Sequence, residues 1–196
     1  MANIFFSHNS KVPRISACLT LETALDTTYD HLHNVCPRDL AAFWNTVPKF
    51  LQNWDRRPAS KKPRNDNNNG QKMKRRFETI LGRSLEDINL FGARDLATTS
   101  LSLAKIVKCI GSKGNYGKGI PNGGPHQILH DLLIGNNADD KQLDFIFLSI
   151  AEASRPILSE FDVRCISNLV YAFGLAGCDP KTGEGKRTFF DILASE

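Results

Sequence analysis

The chain has 196 residues, 41% of them apolar and 23% charged, proportions of an ordinary globular protein that exclude wholesale disorder. That length allows one domain or a short array of stacked helical repeats and little more. The formal charge is only +4, but it is unevenly placed: between Asp55 and Arg76 nine basic residues stand against two acids, a net +7 that leaves −3 for the rest of the chain.

The five cysteines, Cys18, Cys36, Cys109, Cys165 and Cys178, are odd in number and contain no C-x-x-C pair. This argues against a disulfide framework or zinc ribbon and for a reducing compartment rather than secretion. No apolar run approaches the roughly 18 to 20 residues a membrane span needs, so no membrane partner is expected.

In chain order, residues 1–14 read as a flexible N-terminal tail, and 15–196 as a single helical-repeat domain. The tail carries Lys11 and Arg14 and no acid precedes Glu22, a pattern weakly similar to an organellar transit peptide. It points to a mitochondrion or chloroplast, with the cytoplasm as the alternative.

Self-similarity decides the fold class. After each of Asp39, Asp95 and Asp162, apolar positions follow at 1, 4, 8 and 11 residues: Leu40, Phe43, Val47 and Phe50; Leu96, Thr99, Leu103 and Ile106; Val163, Ile166, Val170 and Phe173. That spacing lies on one stripe of an α-helix. Each aspartate suits an N-cap, its carboxylate accepting from exposed first-turn amides. Pro48 is expected to kink the first of these helices or end its regular hydrogen bonding. Ahead of each lies another amphipathic stretch, Ile15 to His33, Lys72 to Leu85 and Leu143 to Ser154.

The result is three helix-turn-helix units, about 15–54, 72–110 and 141–177, with anchors 56 and 67 residues apart. Loops are expected at 57–71, which includes the run Asn65 to Gly70, and at 111–125, which holds six of the fourteen glycines; both lack apolar spacing. A short helix over Gln127 to Ile134 fits the longer gap. Gly177 suits a left-handed C-cap, and residues 186–196 read as the start of a further unit. The expected fold is all-α, a short α-solenoid of helix-turn-helix repeats with two flexible insertions.

The stretch Phe161-Asp162-Val163-Arg164-Cys165-Ile166-Ser167-Asn168-Leu169-Val170-Tyr171-Ala172-Phe173-Gly174-Leu175-Ala176-Gly177 resembles helical repeats of the octotricopeptide and FAST-kinase-domain kind, which accompany RAP domains in organellar RNA-binding proteins. Arg38-Asp39-Leu40-Ala41 and Arg94-Asp95-Leu96-Ala97 look like fainter copies. The resemblance implies paired helices stacked into a superhelix with one face lining an RNA groove. It implicates Arg38, Ala41 and Asn45, then Arg94, Thr98 and Ser102, then Arg164, Ser167 and Asn168. No RAP segment follows, and the insertions lengthen the units beyond the family's period, so no RNA processing is implied.

The basic run offers a second set of RNA contacts: Arg56, Arg57, Lys72, Lys74, Arg75 and Arg76 would hold phosphates in a salt-dependent, sequence-independent way. A solvated linker is the alternative reading. No catalytic residue, cofactor or small-molecule substrate is indicated. The glycines between Gly111 and Gly119 do not fit G-x-x-x-x-G-K-[ST], and His126 and His130, four apart, enclose Gln127 where a zincin has glutamate. The expected function is RNA binding in organellar RNA metabolism, by single-stranded RNA on the helix edges and basic run; the alternative is a protein-interaction scaffold of the same architecture.

Overall fold

A computed structural model describes residues 13–56, 67–111, 124–135, 142–179, 181–182 and 187–195. They form eight α-helices: α1 (Leu21–Asp30), α2 (Pro37–Arg56), α3 (Asn67–Glu86), α4 (Ala93–Gly111), α5 (Pro125–Leu133), α6 (Gln142–Ser154), α7 (Val163–Ala176) and α8 (Phe189–Ser195). The helical expectation holds, with one departure. A two-residue antiparallel ribbon, β1 (Lys181–Thr182) and β2 (Arg187–Thr188), pairs Lys181 with Thr188 ahead of α8.

One local device recurs three times. α1, α3 and α6 each pass through a 3-10 turn, at 32–34, 88–90 and 155–160, into one buried apolar residue and a capping position, and a second helix begins. The buried residues are Val35, Phe91 and Phe161, and the caps that follow are Cys36, Gly92 and Asp162. An apolar residue just before the cap anchors the chain where it enters the helix.

The caps correct the register of the third copy. Asp162 is a true N-cap, its Oδ1 accepting the Cys165 amide at 2.7 Å. Asp39 and Asp95 instead sit third in their helices and accept backward. The Cys36 amide donates to Asp39 at 3.2 Å, and the Gly92 amide to Asp95. Aligned on caps, Cys165 rather than Asp162 matches Asp39 and Asp95, so the third stripe shifts by three residues. Accordingly Val163 and Val170 face outward, and Cys165, Leu169, Ala172 and Phe173 supply the buried face of α7. In α2 and α4 the stripes read from sequence are buried, apart from a half-buried Phe50.

Hydrogen bonding by the Cys165 amide holds the Asp162 carboxyl below its ordinary 3.8. A depressed folded-state value stabilises above the unfolded value and loses that stabilisation as pH falls through the folded one. Urea midpoints measured from about pH 5 down to about pH 2 are therefore expected to fall less steeply in Asp162→Asn, which keeps the cap but not the titration.

Two boundary expectations are corrected. Helix α3 begins at Asn67, inside the expected 57–71 loop: Asn68 and Asn69 are exposed in its first turn, where no apolar spacing is required. Helix α2 spans Pro37–Arg56 with Pro48 inside it, where the missing N–H interrupts the regular hydrogen bonding. The Thr46 hydroxyl donates to the Phe43 carbonyl at 2.7 Å, one residue before the Trp44 carbonyl that Pro48 leaves without its usual donor. Gly111 and Pro125, the ends of the second expected loop, belong to α4 and α5; residues 112–123, with most of its glycines, lie outside the described residues, as does the tail up to residue 12.

The second helices of the three turns pack side by side, with α4 between α2 and α7. On the other side α1 packs against α3, and the insertion helix α5 lies against α3, α4 and α6. One core joins both sets, from Trp44 and Phe77 to Phe147, Phe173 and Phe189. Phe173 stands edge-on to Phe147 at 4.9 Å and the same distance from Phe189, which fastens α8 to α7.

Candidate nucleic-acid interface

The second residue of α2, α4 and α7 is arginine in every case: Arg38, Arg94 and Arg164, all exposed. Neighbouring members are coupled across the packed helices. Arg38, on α2, and Arg94 pull the Asp95 carboxyl of α4 down, against the larger upward push of its burial. Arg94, on α4, lowers the Cys165 thiol of α7, which burial and then Asp162 raise. The three N-termini therefore lie together, and the partial positive charge at each helix start adds to the three guanidinium groups.

Behind this row the exposed edge continues at the ninth and thirteenth positions: Asn45 and Lys49 on α2, Leu101 and Lys105 on α4, Tyr171 and Leu175 on α7. Asn45, Lys49, Lys105 and Tyr171 are exposed, and Leu101 and Leu175 half-buried. The sixth positions are Ala42, Thr98 and Asn168, each half-buried. Of the residues expected on this edge, Arg38, Asn45, Arg94, Thr98, Arg164, Ser167 and Asn168 lie on the accessible side. Ala41 and Ser102 do not. Both are buried, and the Ser102 hydroxyl is spent on the Thr98 carbonyl at 2.7 Å. Lys49 and Lys105 were missed, although both follow their arginines by eleven residues, three helical turns, and so share the same edge.

The basic run divides. The Arg76 guanidinium pairs with Asp26 of α1 and lies 5.4 Å over the Tyr29 ring. Desolvation in that contact lowers its pKa from the ordinary value. Lys74 lies 3.9 Å from Glu78, one turn along α3, while Lys72 and Arg75 are exposed. All four are on α3, which packs on α1 and α5 and meets α2 through Phe77 and Ser84. Arg57 and the side chain of Arg56 lie outside the described residues.

Charge is sorted by helix. Helices α1, α5 and α6 carry Glu22, Asp26, Asp30, Asp131, Asp144 and Glu152 and no lysine or arginine. Helices α4 and α7 together carry Arg94, Lys105, Lys108 and Arg164 against the single acid Asp95. Helix α3 is also net basic, with Lys72, Lys74, Arg75, Arg76 and Arg83 against Glu78 and Glu86, so a polyanion meets positive charge both there and along the α2, α4 and α7 edge.

Two other candidates are placed by the structure. His126 is buried and His130 half-buried on α5, and among the described residues no three His, Cys, Asp or Glu side chains converge as metal ligands. Cys178 is buried with Sγ 3.5 Å from Asp144 Oδ1, and burial, then that carboxylate, push its thiol up to about 12. Because the thiolate is the nucleophile, Cys178 is expected to be alkylated at about pH 8 far more slowly than half-buried Cys109, a difference read by mass spectrometry of partly labelled protein. No described helix is long and apolar enough to cross a membrane.

Comparison of the chain with protein-family models, with curated proteins and with solved structures finds no match in any of the three.

Proposed function

We propose that the protein is an RNA-binding helical-repeat protein, a short α-solenoid that holds single-stranded RNA along the exposed edge of α2, α4 and α7. The observation that carries this reading is the row of Arg38, Arg94 and Arg164, one at the same helical position in each of three packed helices. A guanidinium is always charged and presents a planar fork suited to phosphate, and a row repeated from helix to helix suits a repeating polyanion. Asn45, Thr98, Asn168 and Tyr171 lie beside the row to meet bases, so contact is chiefly to backbone with limited reading of sequence.

The resemblance of residues 161–177 supports an organellar RNA as the target class, with a role in binding rather than catalysis. Lys72, Lys74 and Arg75 add a second, more peripheral cationic patch. Fluorescence anisotropy of a labelled single-stranded RNA pool at about 50 and about 200 mM salt tests the reading. Binding that weakens with salt, and weakens less on neutralising Lys72, Lys74 and Arg75 than on neutralising the arginine row, supports it. No binding at the lower salt overturns it and leaves the protein scaffold.

A further inference from the structure

The edges of α2, α4 and α7 share four positions, the second, sixth, ninth and thirteenth of each helix. In α2 these are Arg38, Ala42, Asn45 and Lys49, and in α4 Arg94, Thr98, Leu101 and Lys105. Each of those helices therefore offers two cations, one toward either end of the edge. In α7 the series is Arg164, Asn168, Tyr171 and Leu175, so the distal lysine is gone. Two exposed acids, Glu160 and Asp162, stand within four residues of Arg164, against one half-buried aspartate each beside Arg38 and Arg94. Attraction for phosphate is thus weaker along α7 than along its two sisters. What α7 has instead is a ring. Tyr171 is 56% exposed, at the position where α2 has an asparagine and α4 a half-buried leucine.

We propose that α7 holds a nucleobase of the bound strand, stacked on the Tyr171 ring with its edge hydrogen-bonded to the Asn168 amide, and that this base is adenine. The subsite rests on the RNA reading above and names what that edge recognises. Arg164, Asn168 and Tyr171 follow one another at i, i+4 and i+7, so they share one stripe of the helix. Asn168 and Tyr171 are three residues apart, neighbours on the helix surface, and a base lying on the ring meets the amide. Arg164 stands about 10 Å from Tyr171 along the helix, a reach that one nucleotide covers from phosphate to base. An aromatic ring accepts the π-face of any base, so stacking supplies affinity without sequence. The amide adds selectivity: its adjacent donor and acceptor match N7 and the N6 amino group of adenine, and a purine covers more of the ring than a pyrimidine. Leu175, half-buried one turn beyond, gives the base an apolar neighbour. The strand is then held by its phosphates along α2 and α4 and read at α7.

The test is fluorescence anisotropy of the whole chain with two labelled single-stranded RNAs of equal length, one of alternating adenine and cytosine and one of cytosine alone, from about 50 to about 200 mM salt. Wild type is expected to bind the adenine-containing strand roughly tenfold more tightly. Tyr171→Ala is expected to weaken that binding roughly tenfold, and Tyr171→Phe to bind as wild type. Neither is expected to change the salt slope, because no phosphate contact is lost. Asn168→Ala is expected to remove the difference between the two strands. Helical circular dichroism is expected to be unchanged in all three, since Tyr171 is exposed and Asn168 half-buried. Wild type that binds neither strand at the lowest salt overturns the RNA reading and the subsite with it. Wild type that binds both strands alike overturns the subsite alone and leaves the phosphate contacts standing. So does a Tyr171→Ala chain that binds as tightly as wild type or with a reduced salt slope, a Tyr171→Phe chain that loses as much as the alanine, or an Asn168→Ala chain that keeps the preference for adenine.

Discussion

Replacing Arg38, Arg94 and Arg164 together with glutamine is expected to weaken single-stranded RNA binding by roughly a hundredfold at 0.1 M salt, and to cut the slope of log K against log salt by about 2. The arithmetic follows from counterion release. Each phosphate neutralised on a single strand contributes about 0.7 to the slope, so three contacts contribute about 2. Glutamine is shorter than arginine but stays polar and removes the charge, so the change in salt slope reports ion contacts, and all three sites are exposed, so the fold is retained. Anisotropy titrations at four salt concentrations read both quantities. Neutralising Lys72, Lys74 and Arg75 is expected to reduce the slope less, because Lys74 already has Glu78 beside it. An arginine triple that binds with unchanged slope removes the row from the interface, whatever the affinity of the wild type.

The size of that effect depends on how the row is supported. Asp95 lies among Arg38 and Arg94 and is pushed up from its ordinary value by burial, although both arginines draw it down. Where it is charged it offsets part of the row's potential, so Asp95→Asn is expected to tighten RNA binding. Its carboxylate also accepts from the Gly92 amide at the start of α4, a contact asparagine can keep through its side-chain carbonyl. The comparison therefore separates charge from capping.

Much of the layer was legible because its signal is local. The stripes after Asp39 and Asp95 follow helical periodicity, and their burial needs only that periodicity. The third stripe was misread for a physical reason: an aspartate in a helix's first turn serves as well at the third position, accepting backward, as at the cap, accepting forward. Spacing from an aspartate therefore leaves a three-residue ambiguity, which the buried residues before the caps, Val35, Phe91 and Phe161, resolve. Arg164 fell at the position of Arg38 and Arg94 only once that shift was made. The partition of the basic run was not legible, because it depends on tertiary contact. Nothing in Lys72 to Arg76 marks Arg76 as the residue that Asp26 and Tyr29, some fifty positions earlier, take up.

The largest loss of stability is expected at Trp44. Its side chain is fully buried in α2, edge-on to Phe43 at 5.1 Å and stacked near Phe77 of α3 at 6.5 Å. The indole N–H donates to Ser84 Oγ at 2.9 Å, and that hydroxyl donates in turn to the Ile80 carbonyl at 2.7 Å. Trp44 thus joins the first two units by packing and by a satisfied polar contact. Trp44→Ala removes both and opens a cavity, at about 3–5 kcal/mol, which in a chain of this length lowers Tm by on the order of 10 °C. Ser84→Ala keeps the ring but leaves its N–H buried without an acceptor, at about 1–3 kcal/mol. Trp44→Phe is expected to be milder than Trp44→Ala because it fills most of the space and carries no donor, and adding Ser84→Ala to it is expected to cost less than Ser84→Ala alone. Thermal unfolding of the four variants and the wild type reads the coupling directly. If Ser84→Ala costs the same with tryptophan as with phenylalanine at position 44, the hydrogen bond contributes nothing and the site is held by ring packing alone.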